Sequence, residues 1–246
     1  MPDENSKFVA EDLLFSSLEL LQQIVKEAYK IAEPGPIETG FAYRHANNIA
    51  WLAEDAIWLI SQGHVAAPPI IARSMLESLF CLTASKAIAN FPARKSVWEL
   101  RDWIKRVRAL NLDADPGFSE LFSKANALID RLETQYNLQH NEPAWSIRRC
   151  AEESGQLDTY TKHYFLLSQH THSFSSGILA RHAGSGSKLL EQTIIYTLLV
   201  AAGSAAELLQ NATPQKYIDR ATSRMADLIE MIEAGKFDVR RDTEAT

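Results

Sequence analysis

Apolar residues recur at spacings of three and four along almost the whole chain. Near the two ends they form two seams, Leu14, Leu18, Leu21, Val25 and Ala28, then Ile218, Ala221, Met225, Leu228 and Ile232. This spacing places apolar side chains on one side of an α-helix, and no alternating run of β-branched residues indicates a strand. The pattern predicts helices over residues 11–32, 40–61, 67–89, 93–110, 117–137, 144–153, 157–172, 188–210 and 215–233. We therefore predict an all-α bundle of eight or nine helices.

Prolines and glycines mark the breaks between these helices. The segment Glu33-Pro34-Gly35-Pro36 should end the first helix, and Pro68-Pro69 is tolerated only in a first turn, so the third helix should begin there. No internal repeat divides the 246 residues. We predict a single α-helical domain over residues 1–246, with its core at about 11–233 and flexible ends at 1–10 and 236–246.

The third predicted helix is apolar nearly all round, which is typical of a central helix covered by its neighbours. Its charged motif, Arg73 and Glu77, lies four residues apart, close enough for an ion pair. We therefore expect this pair to be buried and to face protein. A buried guanidinium has donors left after one carboxylate and needs further hydroxyl, carbonyl or anionic partners.

A second polar motif lies in the helix predicted over 157–172. Tyr160, Tyr164 and Ser168 follow at a spacing of four, and His172 extends the same face if the helix continues. These hydroxyl and imidazole groups, like the charged pair, are costly to bury unless they meet one another. We predict that Arg73, Glu77, Tyr164, Ser168 and His172 form one site. Two interpretations stay open, a structural ion pair that fixes helix packing and a site for a small ligand or anion.

Metal and cofactor chemistry has little support in the residues. His163 and His170 lie on another face, and alternate residues such as His170 and His172 point about 200° apart on a helix. The Glu-x-x-His signature of di-iron bundles is absent from the sequence. Cys81 and Cys150 lack paired spacing and are interpreted as buried apolar residues. We predict no metal site and no cofactor.

The two motifs together resemble a known family. Arg73-Ser74-x-x-Glu77, followed by Tyr164-x-x-Leu167-Ser168-x-x-x-His172, is similar to domain-of-unknown-function family 5677 over roughly residues 45–180. The resemblance implies a bacterial, helical protein in which the five motif residues converge. It implies no activity.

The charge of the chain limits its partners. A net charge of −6 and a pI near 5.7 speak against a nucleic-acid binder that uses its whole surface. One local exception is the basic face Arg94, Arg101, Lys105 and Arg108, opposite Val97, Leu100, Ile104 and Val107 on the fourth helix. It is either a solvated helix face or a contact for RNA, for an acidic partner or for an acidic neighbour in the same chain.

The location and the assembly are predicted from the same patterns. The N-terminal residues are acidic and polar, and no apolar run is long and uninterrupted enough for a membrane span, so we expect a soluble cytoplasmic protein without a membrane partner. The two terminal seams are wide enough to bury against further helices. They predict a homodimer.

The function that fits these residues best is a small-ligand or anion-binding module, or a protein-interaction module, with Arg73, Glu77, Tyr164, Ser168 and His172 at its site. The alternative is a nuclease or other hydrolytic enzyme of a toxin or defence system. In that alternative His172 is the general acid or base, Arg73 stabilises phosphate charge and Glu77 assists. Catalysis on a polymer would need His172 and Arg73 open to a groove, preferably one shared with the basic face, whereas a sealed cluster would favour a structural role.

Overall fold

The computed structural model describes residues 4–32, 36–112, 115–139, 144–171, 185–208 and 215–233. Within these ranges all regular structure is helical and no strand occurs. The helices are α1 (Glu4–Ala32), α2 (Ile37–Ser61), α3 (Ala67–Ala87), α4 (Phe91–Ala109), α5 (Pro116–Tyr136), α6 (Ile147–Glu153), α7 (Leu157–Thr159), α8 (Phe165–Thr171), α9 (Ser185–Leu208) and α10 (Gln215–Glu233). A π-helical turn, Tyr160–Tyr164, joins α7 to α8 without a break. The all-α prediction is confirmed.

Local chemistry explains where the helices begin. The Asp115 carboxylate accepts the Gly117 N–H at 2.8 Å and Pro116 follows at the first position of α5, while Pro68 and Pro69 lie in the first turn of α3. The first helix begins at Glu4 rather than near residue 11. Residues 4–10 contain no glycine or proline, the two residues that most disfavour a helix interior.

The centre of the bundle is α3, as its apolar sequence predicts. It packs against α2, α9, α6 and α8, and Met75, Leu76, Leu79 and Phe80 are fully buried. A short connection makes α2 and α3 neighbours, and Asn48 on α2 donates to the Ser78 hydroxyl on α3 at 2.8 Å. This arrangement leaves one side of α3 to meet the π turn and α8.

A second, smaller core lies between α4 and α5. The apolar stripe of α4, with Val97, Ile104 and Val107, faces Phe122 and Ile129 of α5 rather than α3. A single core around α3 is therefore an incomplete description. The α4–α5 pair buries an apolar cluster of its own.

Within one chain the first terminal seam is covered and the second is covered in part, because Ile218 and Met225 are only half-buried. α1 packs against α9 and α2, and α10 packs against α9 and α1. Leu21 and Ala28 of the first seam are fully buried, and Leu228 of the second is nearly so, whereas Ile232 is exposed. The Tyr217 hydroxyl of α10 donates to Glu27 of α1 at 2.8 Å. These seams therefore do not support the homodimer, which stays a prediction.

No helix among the described residues is sufficiently long and apolar to cross a membrane.

Candidate functional site

Four of the five predicted site residues meet where α3 faces the π turn and α8. Arg73 lies at the centre: its Nε donates to the Ser168 hydroxyl at 3.1 Å, and its Nη2 donates to the Tyr164 hydroxyl at 2.8 Å. The same Nη2 lies 3.0 Å from Glu77 Oε1, in an ion pair along α3. We call Arg73, Glu77, Tyr164 and Ser168 the Arg73 cluster.

Tyr164 connects the two helices of this cluster. Its hydroxyl accepts from Arg73 and donates to Glu77 Oε1 at 2.9 Å, and the Arg73 guanidinium lies 5.0 Å from the centre of its ring. The Ser168 hydroxyl donates to the Tyr164 carbonyl oxygen at 2.7 Å. The guanidinium is therefore fixed by hydrogen bonds and by an aromatic contact.

The π turn positions the tyrosine. The Phe165 N–H donates to the Tyr160 carbonyl, five residues back, where an α-helix would use the residue four back. The rings of Tyr160 and Tyr164 stack with their centres 4.9 Å apart, and Phe80 of α3 packs 6.1 Å from each. The widened turn places both aromatic rings against α3.

The ion pair is not sealed, which corrects the expectation that it is buried. The side chains of Arg73 and Glu77 are 25% and 34% exposed. α2 and α9 cover the apolar sides of α3, whereas the described elements against the charged side are the π turn and the short helix α8. Within the described part of the chain, Arg73 Nη1 and Glu77 Oε2 have no hydrogen-bond partner.

The environment keeps the Tyr164 phenol protonated. Burial raises the pKa of Tyr164 above its usual value of about 10, and the hydrogen bond to Glu77 and the charge of Glu77 raise it further. The hydrogen bond from Arg73 and its positive charge lower this pKa. At neutral pH the phenol is a hydrogen-bond donor to Glu77.

Residues 41–188 match the model of DUF5677, a family of unknown function. This match covers more than half of the chain. The chain belongs to DUF5677. The matched range runs from α2 past α8 and contains all four residues of the Arg73 cluster. No curated protein and no solved structure matches the chain.

The histidines of this DUF5677 chain are placed only in part. His172 and the His170 side chain lie outside the described residues. His163 points away from the Arg73 cluster: its Nδ1 lies 2.8 Å from the Thr193 hydroxyl of α9, and burial, followed by the charge of Lys162, lowers its pKa. Among the described residues, no group of three histidine, cysteine or carboxylate side chains could hold a metal ion.

The basic face of α4 is solvated only in part, since Lys105 and Arg108 are exposed whereas Arg94 and Arg101 are half-buried. Arg101 forms an ion pair with Glu133 of α5, the Arg94 guanidinium lies 4.9 Å from the Trp145 ring, and Arg108 lies 5.7 Å from the Phe122 ring. A depression of about 380 Å³ borders this face, and the described residues that line it come from α4 and α5 alone. Among the residues that the structure describes, the basic face and the Arg73 cluster therefore do not line a common groove.

Two features of the interior were not predicted. Lys95 is buried, with its Nζ 3.0 Å from the Trp145 carbonyl oxygen and 3.3 Å from Glu99. The flanking Phe91 and Trp98, four and three residues away, place Lys95 on an apolar stripe and are a signal that could have revealed its burial.

Cys81 and Cys150 are buried and free, as predicted, but they are also neighbours. A hydrogen bond between the two thiols, and then burial, raises the pKa of Cys81 well above its usual range.

Proposed function

We propose that this DUF5677 protein binds a small polar ligand at the Arg73 cluster. The observation that carries the proposal is that the Arg73 guanidinium is held by three side chains and still reaches the surface. A donor that is fixed in advance loses little conformational entropy when a ligand arrives. The cluster is therefore suited to selective binding of a small molecule.

The charges of the cluster indicate the chemistry of the ligand. Because Glu77 already neutralises the charge of Arg73, a simple anion gains less electrostatic binding energy here than it would at an isolated arginine. Arg73 Nη1 can donate to an acceptor, and Glu77 Oε2 can accept from a donor. A ligand that carries an acidic or carbonyl group beside a hydroxyl or amino group satisfies both.

A purely structural ion pair is the alternative to ligand binding, and the chain contains a matched control for it. Arg149 and Glu153 of α6 also lie four residues apart, at 2.5 Å, with exposures of 27% and 38%. The surroundings of the two pairs differ, because Arg73 is hydrogen-bonded to a tyrosine and a serine from another helix, whereas the Arg149 guanidinium lies 3.9 Å from the centre of the Trp145 ring. If the ligand is lost when Arg73 is changed but is retained when Arg149 is changed, the loss reflects binding at Arg73 and not a general effect of removing an arginine.

Native mass spectrometry of the wild type, Arg73→Gln and Arg149→Gln, purified without denaturant, tests the proposal. We expect a non-covalent small-molecule adduct on the wild type and on Arg149→Gln, and none on Arg73→Gln, while circular dichroism shows all three folded. Equal adducts on the three proteins, or no adduct on the wild type, would contradict ligand binding at this cluster.

A hydrolytic enzyme is the second candidate, and the partial exposure of a fixed Arg73 favours it, because such a group can stabilise developing negative charge. His172 would act as general acid or base. The separation of the basic face from the cluster argues against a nucleic-acid polymer as the substrate. Turnover of a chromogenic phosphodiester or acyl ester that is lost in both Arg73→Gln and His172→Ala would support this candidate. Rates equal to those of buffer would overturn it.

A further inference from the structure

A cleft with a volume of about 710 Å³ opens between the start of α2 and the α4–α5 pair. This volume lies within the range of about 300–1,000 Å³ that is typical of small-molecule sites. None of its described lining residues belongs to the Arg73 cluster. The lining includes Arg44, Ser96, Trp103, Leu128, Arg131 and Tyr136.

One wall of the cleft is apolar and firmly held. Trp103, Leu128 and Tyr136 are partly buried and pack against the second core. The Trp103 ring is supported from behind by Phe122, with the ring centres 5.3 Å apart. Anchored aromatic rings provide a flat apolar surface at little cost in entropy.

The rim of the cleft is positively charged. Arg44 and Arg131 are exposed, and neither has an ion-pair partner in the described part of the chain. The Glu99 carboxylate in the cleft is compensated by Lys95, 3.3 Å away. Burial, followed by the negative charge of Glu38 near the cleft, raises the pKa of Tyr136. Arg44, Arg131 and Lys95 outnumber these two carboxylates, so the cleft carries a net positive charge.

We propose that this cleft binds a small organic anion with a flat apolar body. The acidic group faces Arg44 and Arg131, and the body lies against Trp103 and Tyr136. Guanidinium groups bind carboxylates and phosphates through paired hydrogen bonds, and the aromatic wall selects ligands with a planar hydrocarbon or heterocyclic part. This site is separate from the one at Arg73 and does not depend on it.

A pair of matched dyes tests both halves of the proposal. Anilinonaphthalene sulfonate is an anion with a planar naphthalene ring and an attached phenyl ring, and phenylnaphthylamine has the same rings without the acidic group. We expect saturable binding of one sulfonate dye per chain, weakened by at least about tenfold in the double variant Arg44→Gln/Arg131→Gln, because two charged donors are lost. The affinity for the neutral dye should change less than twofold in the same double variant.

Further variants control for charge, folding and the other site. Arg148→Gln/Arg149→Gln removes two positive charges on α6 and should leave dye binding unchanged, as should Arg73→Gln. Ser96→Tyr fills the cleft without touching its charges and should weaken both dyes. Circular dichroism verifies that each variant is folded.

Competition identifies the acidic group. Displacement of the sulfonate dye by anthranilate but not by AMP indicates a carboxylate ligand, and the reverse indicates a phosphate ligand. Unchanged dye affinity in the Arg44→Gln/Arg131→Gln variant, an equal loss in the α6 control, or no saturable binding to the wild type would overturn the proposal.

Discussion

Arg73 donates to Ser168 and Tyr164 and pairs with Glu77, so its removal affects three partners at once. Breaking a fully buried pair typically costs about 3–5 kcal/mol, but water reaches both members of this pair and screens it. We expect Arg73→Met to lower the free energy of unfolding by about 1–2 kcal/mol. Arg73→Met combined with Glu77→Leu should cost less than the sum of the single changes. Urea denaturation of the four proteins measures this coupling.

The Arg149–Glu153 pair again supplies the control. Its coupling in the same type of cycle should stay below about 0.5 kcal/mol, the usual value for an exposed pair within one helix. Additive effects at Arg73 and Glu77 would show that the two side chains do not depend on each other.

The pKa of the Tyr164 phenol depends on the charges of Arg73 and Glu77. We expect the phenol to ionise above the usual pKa of about 10, with a lower pKa in Glu77→Gln and a higher one in Arg73→Gln, following the sign of each neighbour. The folded state holds this proton more tightly than the unfolded state does. Its contribution to stability is therefore complete below about pH 10 and is lost as the pH rises through the folded pKa.

Ultraviolet titration of phenolate absorbance measures this pKa, and the difference spectrum against Tyr164→Phe assigns it. A pKa that is the same in the wild type, Glu77→Gln and Arg73→Gln would contradict the hydrogen-bonding pattern of the cluster.

At the residue scale, four members of the site could be predicted because their spacing and chemistry are local. Arg73 with Glu77, and Tyr164 with Ser168, each lie four apart on one helix face, and their polarity requires partners. The partial solvent exposure of Arg73 and Glu77 could not be predicted, since it depends on how much of α3 the short helix α8 covers. The apolar stripe around Lys95 signals its burial, but its hydrogen-bond partner could not be predicted, because the Trp145 carbonyl lies 50 residues away in the sequence.

At the scale of elements, prolines and capping residues predicted most helix starts to within a few residues, as at Pro68 and Asp115. The π turn at Tyr160–Tyr164 was not predicted, because its sequence is also compatible with an α-helix. The stacked tyrosines and Phe80, which come together only in the folded chain, accompany the wider turn.

α5 should be among the less stable described helices, because it packs chiefly against α4 and belongs to the smaller core. We expect its amides to exchange hydrogen faster than those of α3 under native conditions. Phe122→Ala should accelerate exchange in α5 by more than about tenfold, since a core Phe→Ala change costs about 3–5 kcal/mol, and should leave α3 nearly unchanged. Hydrogen exchange with mass spectrometry measures both. Equal acceleration in α3 and α5 would mean that the two cores unfold as one unit.

At the scale of the whole molecule, the periodicity of the sequence predicted the fold class but not the partners of the terminal helices. The seams on α1 and α10 have the width expected of an interface between chains, yet α9 and the helices next to it cover the α1 seam and part of the α10 seam within one chain. An amphipathic pattern shows that a face is buried. It does not show whether the covering helix belongs to the same chain.

The predicted homodimer therefore requires another surface, and α2 offers one. Trp51 and Trp58, seven residues apart on the same side of the helix, are 66% and 60% exposed. Glu54 and Asp55 lie between them and repel their counterparts in a symmetric pair, so association should strengthen as salt screens these carboxylates. We expect light scattering at micromolar concentration to give about twice 27.6 kDa, and the double variant Trp51→Ser/Trp58→Ser to give the monomer mass. A wild-type mass of 27.6 kDa that is unchanged on concentration and on addition of salt would show that this face does not pair with a second copy.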